Sequence, residues 1–278
     1  MSKIATLGPK GTYSEAATLK YIASCDESHE VIYFSTIKKA LDSVGKVSDI
    51  AVLPIENFSE GYVSLVLDHI IGSELKIISE ILLPIQFSFV SDMTDIREVK
   101  RLFVQFFAKG QCSEYIDKLS GVEIISTESN IESRNMLMHD AVNSGAIVPS
   151  GSYDLGAFNT VVDNVNDYKN NQTRFLAFSS QVQKIDMSIV SNWKTTLVIF
   201  DDNDRPGLLF DILASFSSRN INLTSIISRP TRVEFGKYNF LIDIKGHSED
   251  PLLSAAINEV SLIARVKNMG SYLSAESL

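Results

Sequence analysis

A threonine and an arginine stand side by side at residues 173 and 174, directly after the polar stretch 170–172 and before an apolar run that begins at Phe175. This is the pattern of a loop that delivers a hydroxyl and a guanidinium to the start of a strand. Such a pair can donate a proton and hold a carboxylate, so it indicates a site for a small anionic substrate. The pair is also common in structural loops, and its interest comes from three polar segments upstream.

The first upstream segment, residues 8–15, lies between a predicted strand and a predicted helix. Thr12 and Glu15 have the spacing of a capping box. Gly8 and Gly11 would let backbone N–H groups approach an anion, and the helix dipole adds positive potential there. The segment predicts either an anion-binding turn or an ordinary capped helix, and both interpretations stay open.

The other two segments place polar side chains after predicted strands. Glu56 and Asn57 end one strand, where ligands gather in open α/β sheets, although Ser59 could be a simple helix cap. Gln111 lies on a predicted helix after another strand, beside Cys112, which we expect to be an inert core thiol. The four histidines are scattered, so we predict neither a metal site nor a Cys–His pair.

The elements that must position these residues follow a βαβαβα order, which predicts a parallel sheet covered by helices. The long apolar stretch 75–90, interrupted by Pro84, suits a passage between two lobes, and a second α/β set follows over 102–148. In the first set, we predict strands over residues 3–8, 31–34 and 49–54, and helices over 12–23, 36–44 and 59–71.

A βαββαβ pattern over residues 194–275 predicts a separate ferredoxin-like module after a linker at 181–193. Such a sheet has one face covered by helices, so its open face and edges need a partner. Pairing two modules would bury them and create ligand pockets at the seam. A plain dimerisation domain is the alternative.

The composition narrows the functional class. With 278 residues, 45% of them hydrophobic, the chain can bury a core and form two domains. The net charge of −9 and the lack of a basic stripe argue against nucleic acid as a partner. No apolar run is long enough to span a bilayer and no signal peptide is visible, so we expect a cytoplasmic protein without a membrane partner.

Taken together, these segments resemble the prephenate dehydratase family with a C-terminal ACT regulatory domain. The resemblance extends over nearly the whole chain and implies an α/β fold. A two-lobed catalytic domain like a periplasmic binding protein would cover residues 1–180, and a ferredoxin-like ACT domain 194–278. The motifs on which the resemblance rests are residues 8–17, 54–57 with Gly61 and Val63, 111–112, 126–127, 167–175, 206–209, 221–224, 228–230 and 246–247.

The resemblance implies decarboxylative dehydration of prephenate to phenylpyruvate, with no cofactor and no metal. Thr173 would protonate the departing ring hydroxyl. It implies L-phenylalanine as the effector and a homodimer or homotetramer. The implied catalytic residues are Thr173, Asn57, Gln111 and Glu56. The implied substrate-binding residues are Gly11, Thr12, Arg174, Phe175, Ser126 and Thr127. The implied effector-binding residues are Pro206, Gly207, Leu208, Leu209, Asn222, Leu223, Thr224, Ser228, Arg229 and Pro230.

The chain departs from the family pattern at several of these motifs. Phe58 replaces a serine, residues 104–107 replace Ser-His-Pro-Gln, residues 128–130 replace an alanine-rich run, and Ile227 replaces a glutamate. Two alternatives follow: a diverged enzyme that decarboxylates prephenate without aromatising it, or a silent sensor of aromatic acids. The retained Thr173 favours the dehydratase.

Overall fold

Three β-sheets organise the chain in this computed structural model, which describes residues 2–25, 27–154, 156–181, 192–202 and 205–275. The strands are β1 (Ser2–Leu7), β2 (His29–Phe34), β3 (Ile50–Asn57), β4 (Gly61–Tyr62), β5 (Lys76–Pro84), β6 (Phe87–Ser91), β7 (Arg101–Gln105), β8 (Glu123–Thr127), β9 (Ser144–Pro149), β10 (Thr160–Val162), β11 (Gln172–Ser179), β12 (Trp193–Phe200), β13 (Leu223–Pro230), β14 (Tyr238–Lys245) and β15 (Arg265–Leu273). The helices are α1 (Tyr13–Ala23), α2 (Ile37–Asp42), α3 (Ser64–Gly72), α4 (Phe106–Gln111), α5 (Ser113–Lys118), α6 (Asn130–His139), α7 (Leu208–Ser217) and α8 (Pro251–Ile263).

The first lobe is built on a sheet of order β2-β1-β3-β11-β5, with β4 added beside β3. Strands β1, β2 and β3 are parallel, as the βαβα pattern predicts. Strand β11 arrives from far along the chain and lies antiparallel between β3 and β5. This insertion brings the start of β11 to the end of β3.

The second lobe has the sheet order β10-β6-β9-β7-β8, with α6 against β9 and β7. The chain crosses between the lobes twice, first between β5 and β6 and again between β10 and β11. The predicted passage around Pro84 is the first of these crossings. Polar residues at both crossings therefore lie where the lobes meet.

The third sheet has the order β13-β14-β12-β15, and its elements follow the predicted βαββαβ sequence. Helices α7 and α8 cover one face through a core that includes Ile212 and Val260. The predicted class, two α/β lobes followed by a ferredoxin-like domain, is confirmed.

The other face of the third sheet packs against the first lobe. Val198, Met269 and Tyr272 share one hydrophobic core with Leu53 and Ile77. The expectation that this face needs another copy of the chain is therefore wrong, because the first lobe buries it. Strand β13 remains at the edge of this sheet, and β14 is its one partner among the described strands.

Gly270 lets β15 approach β5 closely. Its φ is +132°, and a Cβ added at this position would collide with the backbone of Ile77. A glycine here allows two backbones from different domains to pack in direct contact.

The predicted linker, 181–193, falls mostly on residues 182–191, which lie outside the described residues, so its boundaries stay a prediction. Among the described residues, no helix is both long enough and apolar enough to cross a bilayer.

Candidate active site

Four polar side chains form a continuous chain of hydrogen bonds where the two lobes meet. Asn57, at the end of β3, donates from Nδ2 to Thr173 Oγ1 at 2.8 Å and to Asn171 Oδ1 at 3.2 Å. Asn171 in turn donates from Nδ2 to Gln111 Oε1 at 2.8 Å. Gln111 belongs to the second lobe, so the chain of bonds connects both lobes. The structure thus brings together Thr173, Asn57 and Gln111, three of the residues expected from the sequence.

The Thr173 hydroxyl is held with its proton free. Its oxygen accepts from Asn57, and no described residue lies in position to accept the Thr173 proton. A hydroxyl that accepts one fixed hydrogen bond is oriented, and its own O–H remains available to a ligand. Thr173 is buried, which shields that proton from bulk water.

The Asn57 amide is oriented by the turn that follows β3. Asn57 Oδ1 accepts from Ser59 N at 3.0 Å, from Ser59 Oγ at 2.8 Å and from Glu60 N at 3.1 Å. With its oxygen committed to these three donors, the amide must present Nδ2 to Thr173. The turn thus fixes the orientation of the Asn57 amide. The pairing of Asn57 with Thr173 across β3 and β11 places that amide beside the Thr173 hydroxyl.

Gln111 is positioned by Asp167, which lies on the second crossing between the lobes. The Asp167 carboxylate accepts from Ser113 N at 2.9 Å and from Glu114 N at 3.0 Å, and so caps α5. Asp167 N also donates to Gln111 O at 2.8 Å. The neighbouring Cys112 is fully buried, as expected, and burial followed by the charge of Asp167 raises the pKa of its thiol to about 12. Cys112 is therefore a protonated core residue at neutral pH.

The structure corrects the role expected for Arg174. Its guanidinium lies at the junction with the third sheet, where Nη1 is 2.7 Å from Asp243 Oδ2, Nε pairs with Glu80 and Nη2 donates to Tyr272 OH at 3.1 Å. Successive residues of a strand point to opposite faces, so Thr173 and Arg174 cannot both face the cleft. Arg174 is thus held by protein carboxylates and does not bind the substrate.

Glu56 and Phe175 are also corrected. Glu56 pairs with Arg174 across β3 and β11, and its carboxylate lies 3.7 Å from the Arg174 guanidinium, on the side away from Thr173. Phe175 is buried in the core beside α1 with Ile4 and Tyr21. Neither side chain is placed to touch a ligand next to Thr173.

The turn before α1 is a capped helix start whose polar groups are already used. Thr12 Oγ1 accepts from Glu15 N at 3.5 Å and donates to Pro9 O at 3.1 Å, and the Glu15 carboxylate accepts from Gly11 N. The Thr12 hydroxyl and the Gly11 N–H thus already have partners within the protein, and their contact with a substrate carboxylate stays a prediction. Gly11, with φ of +86°, also permits contact between the lobes, because a Cβ there would meet the side chain of Ile131.

Thr127 is likewise occupied within the protein. It donates to Ser129 O at 3.1 Å and lies 2.7 Å from Ser133 Oγ, so it secures the start of α6 and is not free for substrate. Ser126 is exposed at the end of β8, and its substrate contact stays a prediction.

The departures from the family pattern do not block the chain of hydrogen bonds. Gln105 caps α4, with Oε1 accepting from Phe107 N at 2.8 Å and from Ala108 N at 3.1 Å. Phe58 is 66% exposed and packs edge-on against Tyr168, with ring centroids 6.2 Å apart. Phe58 thus lies outside the polar site and leaves Asn57 free to contact Thr173.

A cavity of about 440 Å³ lies between the lobes near the starts of α1 and α6. The residues that line it are Lys10, Gly11, Glu15, Asn130, Ile131, Arg134 and Ser152. Two cations in this set, Lys10 and Arg134, were not predicted from the sequence, and neither was Asn171. Asn171 adjoins the Thr173 motif and could have been found there, whereas Arg134 has no sequence signal beyond its helix.

The residues expected to bind an effector occupy two regions of the third sheet. Pro206, Gly207 and Leu209 are exposed at the start of α7, while Leu208 is buried beneath them. Along β13, the residues Asn222, Thr224, Ser228 and Pro230 are exposed, whereas Leu223 packs into the domain core.

Several side chains of the effector motifs contact other parts of the chain. Arg229 pairs with Asp68 of α3 at 2.8 Å, and Ile227 packs against the core shared with the first lobe. The side chains of Leu208, Leu223 and Arg229 thus make contacts within the chain, and their role in binding an effector stays a prediction.

Among the described residues, no group of three potential ligands could hold a metal ion. The described residues offer an oriented proton from Thr173, neutral amide donors and acceptors, and a cavity between the lobes with two cations in its lining.

Comparison with known proteins identifies the family of each part of the chain. A family model described as prephenate dehydratase matches residues 4–183, and one described as ACT domain matches residues 196–261. A prephenate dehydratase of Methanocaldococcus jannaschii is 33% identical over 243 residues, which is 87% of each chain.

Two solved structures extend the similarity to the whole fold. Prephenate dehydratase from Arthrobacter aurescens in complex with L-Phe has a TM-score of 0.84 at 30% identity, over 99% of this chain and 91% of that one. The enzyme from Staphylococcus aureus has a TM-score of 0.82 at 28% identity, over 98% and 100%. The chain therefore belongs to the prephenate dehydratase family and carries an ACT domain after its catalytic lobes.

Proposed function

We propose that this protein is a prephenate dehydratase, a lyase that converts prephenate into phenylpyruvate, water and carbon dioxide for L-phenylalanine biosynthesis. The observation that carries the proposal is the Thr173 hydroxyl, held by Asn57 with its proton free. Membership of the family supplies the substrate, and the hydrogen-bond chain supplies the geometry that the reaction needs.

In the proposed reaction, the bond between the ring and its carboxylate breaks and releases carbon dioxide. The electron pair of that bond enters the ring, and the C–O bond on the opposite ring carbon breaks. Thr173 donates its proton to the departing oxygen, which leaves as water, and solvent then returns a proton to Thr173. Aromatisation drives the reaction, so positioning and protonation are what the protein must supply.

Asn57, Asn171 and Gln111 would keep the acid in place and bind the hydroxyl end of the substrate. Their amides are neutral, so they can hold a departing hydroxyl through hydrogen bonds without adding charge to the site. Their hydrogen bonds to one another and to Thr173 fix the orientation of the amides. Such orientation reduces the rearrangement needed when the transition state forms.

Incubation of the purified protein with prephenate tests the proposal. We expect phenylpyruvate to form at a rate proportional to the enzyme concentration. Its absorbance in alkali measures the amount formed. A non-aromatic decarboxylated product would identify the diverged enzyme. Unchanged prephenate that nevertheless stabilises the protein against heat would identify a sensor.

The ACT domain supports a further part of the proposal, regulation by L-phenylalanine. The exposed residues at the start of α7 and along β13 would contact it, while Ile227, in place of the family's glutamate, faces the first lobe. Calorimetry with L-phenylalanine tests this, and absence of heat at millimolar effector would contradict it.

We also propose that residues 1–180 form the catalytic domain and residues 194–278 the ACT domain. The protein would be a cytoplasmic homodimer or homotetramer. The edge strand β13, whose one partner among the described strands is β14, offers backbone groups for pairing with a second copy. Light scattering at micromolar concentration tests the assembly, and a monomer would contradict it.

A further inference from the structure

Arg134 differs from the other arginines of the chain, because no carboxylate of the described residues lies within 4.0 Å of its guanidinium. The other arginines all form ion pairs with Asp or Glu: Arg97, Arg101, Arg174, Arg205, Arg219, Arg229, Arg232 and Arg265. In a chain with a net charge of −9, an unpaired and half-buried arginine calls for a partner.

The Arg134 guanidinium is only partly satisfied by the protein. Nη1 donates to Ser152 O at 2.6 Å, but Nε is buried without an acceptor among the described residues. Asn130, one turn earlier on α6, has a buried Oδ1 that also lacks a partner; this oxygen is an acceptor, so the Asn130 amide can hold an anion only through its Nδ2 donor. A buried polar group without a hydrogen bond is costly, about 1–3 kcal/mol, so such groups commonly mark a ligand site.

Both side chains line the 440 Å³ cavity between the lobes, and its charge favours an anion. Lys10 adds a second positive charge. The carboxylate that lines the cavity, Glu15, already accepts from Gly11 N and from Tyr33 OH. Glu132, in the same turn of α6, turns its carboxylate to Glu128 N at 2.7 Å.

We propose that Arg134 and Asn130 form a subsite that binds one carboxylate group of the substrate, an inference that rests on the proposed function. It assigns carboxylate binding to α6, in place of Arg174, which faces the third sheet. The cavity volume suits a small dicarboxylate.

The two carboxylates of prephenate make different demands on a binding site. The ring carboxylate leaves as neutral carbon dioxide, so an ion pair with it would stabilise the ground state more than the transition state. The carboxylate of the pyruvyl side chain keeps its charge throughout. Arg134 binds the pyruvyl carboxylate, and that contact acts equally on the ground state and the transition state, which lowers KM without changing kcat.

Steady-state kinetics of Arg134→Gln test the subsite. We expect KM for prephenate to rise about 10- to 100-fold, the loss of one charged hydrogen-bonding partner, with kcat within about twofold of wild type. Arg134→Lys keeps the charge and should recover part of the affinity. Arg101→Gln, which breaks the ion pair with Asp140 in the same lobe, is the matched control and should leave KM unchanged.

Arg134 also donates to Ser152 O, so Arg134→Gln could raise KM by disturbing the local structure. A second variant controls for this effect. Asn130→Leu leaves that contact intact and should also raise KM, by a smaller factor. An unchanged KM in both Arg134→Gln and Asn130→Leu overturns the subsite while leaving the dehydratase standing.

If wild type fails to turn over prephenate, the proposed function fails separately. The subsite is then tested by calorimetry with phenylpyruvate, which carries the same pyruvyl carboxylate. Binding to wild type that is lost in Arg134→Gln supports the subsite. Equal binding to both proteins, or binding to neither, overturns it.

Discussion

At the scale of single residues, the catalytic proposal depends on how one amide is oriented. The Asn57 side-chain oxygen accepts from the turn after β3 and its nitrogen donates to Thr173, so the Thr173 hydroxyl is held in one orientation. The two atoms of the amide therefore have separable functions, structural for Oδ1 and catalytic for Nδ2.

Asn57→Asp separates these functions, because aspartate keeps the acceptor for Ser59 and Glu60 but cannot donate to Thr173. We expect kcat to fall about 10²-fold with little change in thermal stability. Asn159→Asp, which loses a donor to Asp92 O on the second lobe, is the control and should keep the wild-type rate. A wild-type kcat in Asn57→Asp would exclude the proposed alignment of Thr173.

The grouping of Thr173, Asn57 and Gln111 followed from the family resemblance, and the structure places them together. The role of Arg174 could not be predicted in this way, because it depends on Asp243, which lies in another domain.

At the scale of helices and strands, the sequence predicted most elements but not where tertiary contacts interrupt them. Gln111 and the neighbouring Cys112 were expected on one helix that follows a strand. The structure has two short helices, α4 and α5, since Asp167 from a distant crossing caps the second one. Apolar periodicity cannot reveal a cap supplied from more than fifty residues away.

At this scale, the close contact between β15 and β5 at Gly270 predicts the effect of a substitution on stability. Gly270→Ala forces a Cβ against the backbone of Ile77 and should lower the free energy of unfolding by at least about 2 kcal/mol, measured in urea. Gly246→Ala is the control. Gly246 also has a positive φ, but its nearest neighbour, Leu253 Cδ2, would be 3.5 Å away. Equal losses of unfolding free energy in the two variants would contradict the role of the contact with Ile77, because strain from the positive φ alone would then explain both losses.

At the scale of the whole molecule, a buried cluster of charges joins the catalytic lobes to the ACT domain. Glu80 of β5 contacts Lys194 of β12 at 2.7 Å and also pairs with Arg174, which reaches Asp243 of β14. The cluster balances two cations with two anions, so removing one member leaves an uncompensated buried charge.

Asp243→Asn tests the energetic importance of this cluster. Loss of the carboxylate leaves Arg174 without its partner in the ACT domain, and we expect a loss of about 3–5 kcal/mol in the free energy of unfolding. Asp202→Asn removes the exposed partner of Arg265 and should cost about 1 kcal/mol or less. Similar small losses in both variants would mean that the cluster does not hold the domains together.

The same cluster predicts a dependence of stability on pH. Burial alone would raise the pKa of Glu80, but Arg174 and Lys194 outweigh it and hold the pKa below its usual value of 4.5. The unfolded state therefore binds a proton more readily than the folded state. This contribution is present above pH 4.5 and is lost as pH falls through the lower, folded-state pKa. Urea unfolding between pH 6 and pH 3 measures it, and a midpoint that rose on acidification would contradict the sign.

The most direct test of the central claim is the turnover number of Thr173→Ala with prephenate as substrate. Loss of the free hydroxyl proton should lower kcat by about 10²- to 10⁴-fold while KM changes little, and Thr173→Ser, which restores a hydroxyl, should recover much of the rate. A Thr173→Ala enzyme that forms phenylpyruvate at the wild-type rate would contradict the assignment of Thr173 as the proton donor.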